Sequence, residues 1–162
     1  MLELSYKEAE QSDYDDFFNI KADKANIEWG GFETAPDYNN FKQWYSKQLE
    51  SKKRTIYLVY HQSKCVAFFY LDKLGNQIYE ASSQGVLGEY CGRGIGTYTL
   101  RKGIEISKKS GGKYIISWIA DDNIASYRRF EKLGFEKTND SDVRDLPLLG
   151  GSHTFHKWIL RL

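Results

Sequence analysis

Apolar and polar residues alternate with the period of a strand from Leu2 to Lys7, and the acidic stretch Ser12-Asp13-Tyr14-Asp15-Asp16 then opens a helix carrying Phe17, Phe18 and Ile20. A loop holding Trp29-Gly30-Gly31-Phe32 follows. Pro36-Asp37 starts a second helix in which Phe41, Trp44, Tyr45, Gln48 and Leu49 share one face, and most of that aromatic face is assigned to the core. Thr55 to Tyr60 and Cys65 to Leu71 flank the polar turn His61-Gln62-Ser63-Lys64, which predicts a hairpin. Leu74-Gly75-Asn76 turns the chain again, into a strand from Gln77 to about Leu87.

The second half alternates helix and strand. Gly96, Leu100, Gly103, Ile104 and Ser107 form a stripe at helical spacing whose small members permit close packing on a sheet, and Ser110-Gly111-Gly112 ends that helix. Tyr114 to Ala120 is almost continuously apolar, as a central strand covered on both faces is. Asp121-Asp122-Asn123 offers caps for a helix that stops at Gly134. Phe135 onward and Thr154 to Leu160 predict the last strands, with Asn139 to Ser152, which contains Pro147, Gly150 and Gly151, read as a loop over the sheet.

Composition narrows the class of protein. A chain of 162 residues with 41% hydrophobic content builds one well-buried core, so residues 1–162 are read as a single domain. Lys plus Arg total 23 against 22 for Asp plus Glu, which leaves no global field to favour nucleic acid or a membrane. Cys65 and Cys91 form no C-x-x-C pair, and neither a metal site nor a disulfide framework is expected. The N-terminus lacks the cationic and apolar regions of a signal peptide, no apolar run approaches the roughly 18 residues of a span, and a cytoplasmic location is expected.

The chemistry concentrates in Glu89-Tyr90-Cys91-Gly92-Arg93-Gly94-Ile95-Gly96-Thr97, where alternating glycines stand between a strand and a helix. Without a Cβ at those positions the backbone turns sharply and approaches a ligand closely. The first N–H groups of the helix then point at an anion such as a pyrophosphate, and Arg93 adds a charged donor. Counting from Gly92 or Gly94, the last glycine of a dinucleotide fingerprint would fall on Thr97 or Thr99, and no Gly-Lys-Ser/Thr follows, so neither that fingerprint nor a P-loop is present.

The run Gly92-Arg93-Gly94-Ile95-Gly96 resembles the acetyl-CoA loop of the GCN5-related N-acetyltransferase (GNAT) superfamily, Arg/Gln-x-x-Gly-x-Gly/Ala, with Cys91 departing from the first position. Downstream, Asn123-Ile124-Ala125-Ser126 and Phe130-Glu131-Lys132-Leu133-Gly134-Phe135 resemble the family segment Asn-x-x-Ala/Ser-x-x-x-Tyr-x-x-x-Gly-Phe, with Phe130 at the tyrosine. The element order β-α-α-β-β-β-α-β-α-β-β is similar as well. This resemblance implies an α/β (α+β) fold, a mixed central sheet with helices on both faces. It implies acetyl-CoA as acyl donor, with its pantetheine arm entering between two splayed strands, at Val86 to Gly88 on one side and Trp118 to Asn123 on the other. Cofactor contacts are then expected from Val86, Leu87, Gly88, Cys91, Gly92, Arg93, Gly94, Ile95, Gly96, Thr97, Asn123, Ser126 and Phe130.

Acetyl transfer to an amine needs an unprotonated nucleophile, support for the oxyanion and release of the thiolate. Glu80, on the strand leading to the loop, is the first candidate base, although the family position counts nearer to Ala81 and a bulge would be needed. By resemblance a main-chain N–H near Leu87 faces the thioester carbonyl. Phe130 has no hydroxyl to donate, so Ser126 is the preferred acid, Tyr127 the second, and departure of an unprotonated thiolate the third. His153 and His156, around the last strand, are more often structural but either could assist as a base.

The acceptor is less legible. Trp29 and Phe32 fall where related proteins line the acceptor groove, and Glu28, Glu33 and Asp37 could attract a cationic amine. The expected acceptor is a small-molecule or peptide amine, with an amino sugar favoured, taken by a monomer or homodimer. A protein N-terminal acetyltransferase and a non-catalytic acyl-CoA-binding module are the alternatives.

Overall fold

The computed structural model describes residues 1–162, which form β1 (Leu4–Glu8), α1 (Tyr14–Lys21), α2 (Lys24–Trp29), α3 (Tyr38–Leu49), β2 (Arg54–His61), β3 (Lys64–Gly75), β4 (Ile78–Val86), α4 (Ile95–Lys109), β5 (Tyr114–Ala120), α5 (Ile124–Lys132), β6 (Glu136–Leu146) and β7 (Gly151–Arg161). The seven strands make one sheet in the order β1-β2-β3-β4-β5-β7-β6. Every neighbouring pair is antiparallel except β4 and β5. Alternation along β3 sorts the two layers. Phe68 and Tyr70 join Tyr14, Phe17, Ile20 and Tyr45 from α1 and α3, whereas Leu71, on the other face, joins Leu100 of α4 and Phe130 of α5.

Local signals account for most element boundaries. The Asp37 carboxylate caps α3 by accepting the Asn40 N–H at 2.9 Å, and the Asn123 side chain accepts the Ser126 N–H at 3.3 Å at the start of α5. Between β3 and β4 the chain turns through Asn76 and Gln77, both left-handed with φ of 52° and 59°, as a two-residue hairpin requires.

Two stretches differ from the sequence reading. Lys24–Trp29 is an additional short helix, so Trp29 ends a helix and the loop proper begins at Gly30. Six residues are too few for a helical period to emerge. The stretch Asn139 to Ser152 is not a loop: β6 runs to Leu146, a single 3₁₀ turn covers Pro147–Leu149, and β7 begins at Gly151. Its polar residues reflect an edge strand that pairs only with β7 and exposes nearly every side chain, a composition that discourages pairing with other chains.

A β-bulge sits in β4. Tyr70 pairs with Ser83 but Leu71 with Ala81, which leaves Ser82 as the extra residue. The bulge reverses the alternation, so that Glu80, opposite Asp72, lies on the face of α1 and α3.

On that face Asp72, 2% exposed, takes two hydrogen bonds from Arg54, at 2.8 and 2.9 Å. The guanidinium also stacks 4.7 Å from the Tyr70 ring centre. Arg54→Met leaves the Asp72 carboxylate buried without its cation and is expected to destabilise the protein by about 3–5 kcal/mol, read as a lower denaturation midpoint in urea. An unchanged midpoint would show that the pair carries no such weight.

Candidate active site

β4 and β5 pair over three residues only, Ile78 to Glu80 against Tyr114 to Ile116, and then part. The Ser117 hydroxyl donates to the Ala81 carbonyl at 2.8 Å across the point of parting. Beyond it lies a cavity of 840 Å³ lined from both faces of the sheet. Lys21, Phe32, Phe41, Trp44, Tyr70 and Trp118 contribute from the side of α1 to α3, and Thr99, Leu100, Gly103, Asn123, Ser126 and Phe130 from the side of α4 and α5. Two of the three aromatic residues on that face of α3 therefore wall a cavity: Tyr45 is fully buried, but Phe41 and Trp44, stacked at 4.8 Å, line the opening.

The glycine loop precedes α4, whose Thr99, Leu100 and Gly103 line this opening; Val86 to Gly88 and Cys91 to Thr97 do not line it. Gly92 and Gly94 have φ of 76° and 82°, a region unfavourable for other residues, and a Cβ at either would project into open space. Gly94 caps α4, so the N–H groups of Ile95, Gly96 and Thr97 have no helical acceptor. Arg93 is exposed, its guanidinium 5.1 Å from the Tyr90 ring centre, and Cys91 is exposed with Sγ 3.6 Å from the Leu87 carbonyl. A residue missed by sequence reasoning completes the loop. The Arg129 guanidinium packs so closely on Gly96 that a Cβ there would lie 2.6 Å from its Cζ, and it has no carboxylate partner. Burial holds its pKa below the ordinary arginine value.

Other predicted residues separate. Val86 ends β4 and Gly88 begins a 3₁₀ turn. The Leu87 N–H donates to Val66 O at 2.9 Å, so it is not available to a thioester carbonyl; in an antiparallel ladder the neighbouring Val86 N–H is turned to the opposite, unpaired edge. Ser126 lines the cavity, and its hydroxyl has no partner in the protein. Tyr127 stacks on Trp158 at 6.1 Å, outside the cavity, which corrects its candidacy as the acid. Phe130 lines the cavity and packs edge-on against Phe135 at 4.8 Å.

Glu80 is half-buried just below the cavity, with no hydrogen bond or ion pair. Burial raises its pKa, the facing Asp72 adds to the rise, and Arg144, Lys53 and Arg54 oppose it. Trp29 and Phe32 line the cavity, Trp29 meeting His153 edge-on at 6.3 Å. Both ring nitrogens of His153 are engaged, one with Leu149 O at 2.6 Å and one with Asp122 at 2.9 Å, and His156 pairs with Asp121 at 2.7 Å, so both serve structure. Of Glu28, Glu33 and Asp37 only Asp37 borders the cavity, and its carboxylate caps α3. No three His, Cys, Asp or Glu side chains converge as metal ligands, and no helix is long and apolar enough to cross a membrane.

A family model described as the acetyltransferase (GNAT) family matches residues 8–135. The chain belongs to that family. An uncharacterized N-acetyltransferase of Methanocaldococcus jannaschii is 37% identical over 49 residues, a match covering 30% of this chain and 22% of that protein. Among solved structures, spermidine N-acetyltransferase from Vibrio cholerae in complex with CoA and spermine superposes with a TM-score of 0.85 at 14% identity, covering 98% of this chain and 95% of that one. Ribosomal-protein-alanine N-acetyltransferase from Brucella melitensis gives 0.79 at 18%, covering 98% and 99%.

Lys21 lines the cavity as a buried cation. It is 7% exposed, makes no ion pair, and is ringed by Phe32, Phe68 and Tyr70 at 5.4, 5.1 and 5.7 Å. Burial lowers its pKa to about 8 and the nearby Arg54 charge acts in the same direction. The folded state therefore binds fewer protons than the unfolded chain between about pH 8 and the free-lysine value near 10.4, and this group's penalty, complete below pH 8, is relieved as pH rises through that window. Lys21→Met is expected to be more stable at pH 7 by on the order of 3 kcal/mol, with the advantage shrinking by pH 10. Urea titrations at the two pH values check this; an advantage independent of pH would contradict it.

Proposed function

We propose that this chain transfers the acetyl group of acetyl-CoA directly to the primary amine of a small molecule. The observation that carries the reading is the cavity through the β4–β5 parting, lined by residues of α4 and α5 on one face and by aromatic side chains on the other, with the unpaired N–H groups of the glycine loop at the start of that same α4. In this reading the N–H groups of Ile95 to Thr97 and the guanidinium of Arg129 hold the pyrophosphate. The pantetheine arm passes Asn123 and Phe130 through the parting, and the Val86 N–H supports the developing oxyanion.

The amine enters from the side of Trp29 and Phe32. Glu80, with its raised pKa, takes the proton through water, and Ser126 supplies one to the departing thiolate. Aromatic walls suit the apolar faces of a sugar ring, so an amino sugar is the favoured acceptor. The hydroxyl-free Phe130 favours a second reading, an acyl-CoA-binding module without turnover.

Acetyl-CoA consumption measured across amino sugars, amino acids, polyamines and N-terminal peptides separates the two: turnover of any amine supports transfer, and binding without turnover supports the module. With an accepted amine, Ser126→Ala is expected to lower kcat by about 10²-fold or more while acetyl-CoA affinity stays nearly constant. Tyr127→Phe is expected to be nearly silent. Full kcat in Ser126→Ala, where chemistry limits the rate, would leave thiolate departure unassisted.

Gly94→Val and Arg129→Met are expected to weaken acetyl-CoA binding in calorimetry, the arginine change by about 10- to 100-fold, as loss of a charge-assisted hydrogen bond implies. Unchanged affinity in both would remove the pyrophosphate from this loop.

A further inference from the structure

The acceptor side of the cavity is built around a cation that nothing in the protein neutralises. Lys21, at the end of α1, is almost wholly buried and lines the cavity, yet neither a carboxylate nor a carbonyl accepts from its ammonium. The same lysine sits over the Tyr70 ring, whose own hydroxyl is sealed away from the cavity. Other charges on this wall are already spent or remote. Arg54 is matched by Asp72, Arg144 by Asp142 at 3.2 Å, and the lining carboxylates Asp37 and Asp145 are exposed.

A buried ammonium without an acceptor costs stability, since the protein does not repay its lost hydration. Space alone would be filled better by methionine. A ligand that brings its own negative oxygens satisfies the ammonium, whereas an acceptor with a second ammonium meets Lys21 and Arg54 as like charges.

We propose that the acceptor amine carries an oxyanionic group, a carboxylate or a phosphate, which the Lys21 ammonium binds at the floor of the cavity. This rests on the transferase reading above and adds the acceptor's charge class to it. The amine and the anion are then parts of one molecule: the anion is anchored beside α1, and the amine is directed to the parting of β4 and β5. Polyamines are excluded as good acceptors, despite the shared fold with an enzyme named for spermidine.

The test compares amines that differ only in charge. Acetyl-CoA consumption by the intact protein is measured with amino acids against their carboxamides, with glucosamine 6-phosphate against glucosamine, and with spermidine. In at least one pair the charged member is expected to have a kcat/KM about 10- to 100-fold above its neutral twin, as expected for a charge-assisted hydrogen bond, and the pair that responds identifies carboxylate or phosphate. Lys21→Met is expected to bring that ratio near one by lowering the charged member. A neutral twin or spermidine used as well as the charged amines would overturn the proposal while leaving transfer intact. So would a loss in Lys21→Met shared equally by both twins, which would mark the lysine as a proton acceptor. If no amine is acetylated, the transferase reading itself fails. Should Lys21→Met not fold, the twin comparison on the unaltered protein still decides.

Discussion

The parting of β4 from β5 is the constraint around which the rest of the molecule is arranged. Parallel pairing lasts three residues, and one side-chain bond, from Ser117 to the Ala81 carbonyl, closes it off. Past that point the facing edges present main-chain N–H and C=O groups with no strand opposite, an arrangement a folded protein sustains only where water or a ligand satisfies them. The glycine loop and α4 follow from the end of β4, and α5 follows from the end of β5, so one divergence sets both helix starts around the same opening. That is how Arg129, on α5, reaches Gly96, on α4. The bulge at Ser82 belongs to the same device, because it turns Glu80 to the face of α1 and α3 just below the opening.

Charge is buried in two opposite ways on that face. Asp72 and Arg54 meet through two parallel hydrogen bonds, with the guanidinium also laid on Tyr70, so the desolvation of each is repaid by the other. Lys21, over the same tyrosine, has aromatic faces alone, and these offset only part of its lost hydration. Folding explains the first arrangement. It does not explain the second, which in the proposed reading is the acceptor's oxyanion to answer.

Much of this architecture was legible in the chain. The continuous apolar run of Tyr114 to Ala120 marked a strand covered on both faces, and the alternating glycines marked the junction of β4 and α4, because each pattern has few physical solutions. The need for a bulge near Glu80 was also visible by counting, although its position was not. What stayed hidden depends on tertiary placement. The polarity of Asp140 to Asp145 signals exposure, which an edge strand and a loop share. Lys21 reads as an ordinary basic residue in the last turn of a helix, and only the convergence of Phe32, Phe68 and Tyr70 from distant segments makes it a buried cation. Arg129 lies at no position of the recognised motif, and nothing local foretells its contact with Gly96.

The choice among proton donors for the thiolate also turns on placement rather than residue type. Tyr127 has the hydroxyl that Phe130 lacks, but its ring lies nearly parallel to Trp158, at 9°, and is packed with Leu133 and Leu160 around the same cluster. Turning it into the cavity would give up that stacking and leave Trp158 uncovered, a loss that a single hydrogen bond to a transient anion does not balance. Ser126 requires no such movement. Its amide is already fixed by Asn123, which sets the first turn of α5, and its short side chain opens onto the cavity with no competing partner. The cap that starts the helix thus also positions the one free hydroxyl of α5 that faces the departing thiolate in the proposed reaction.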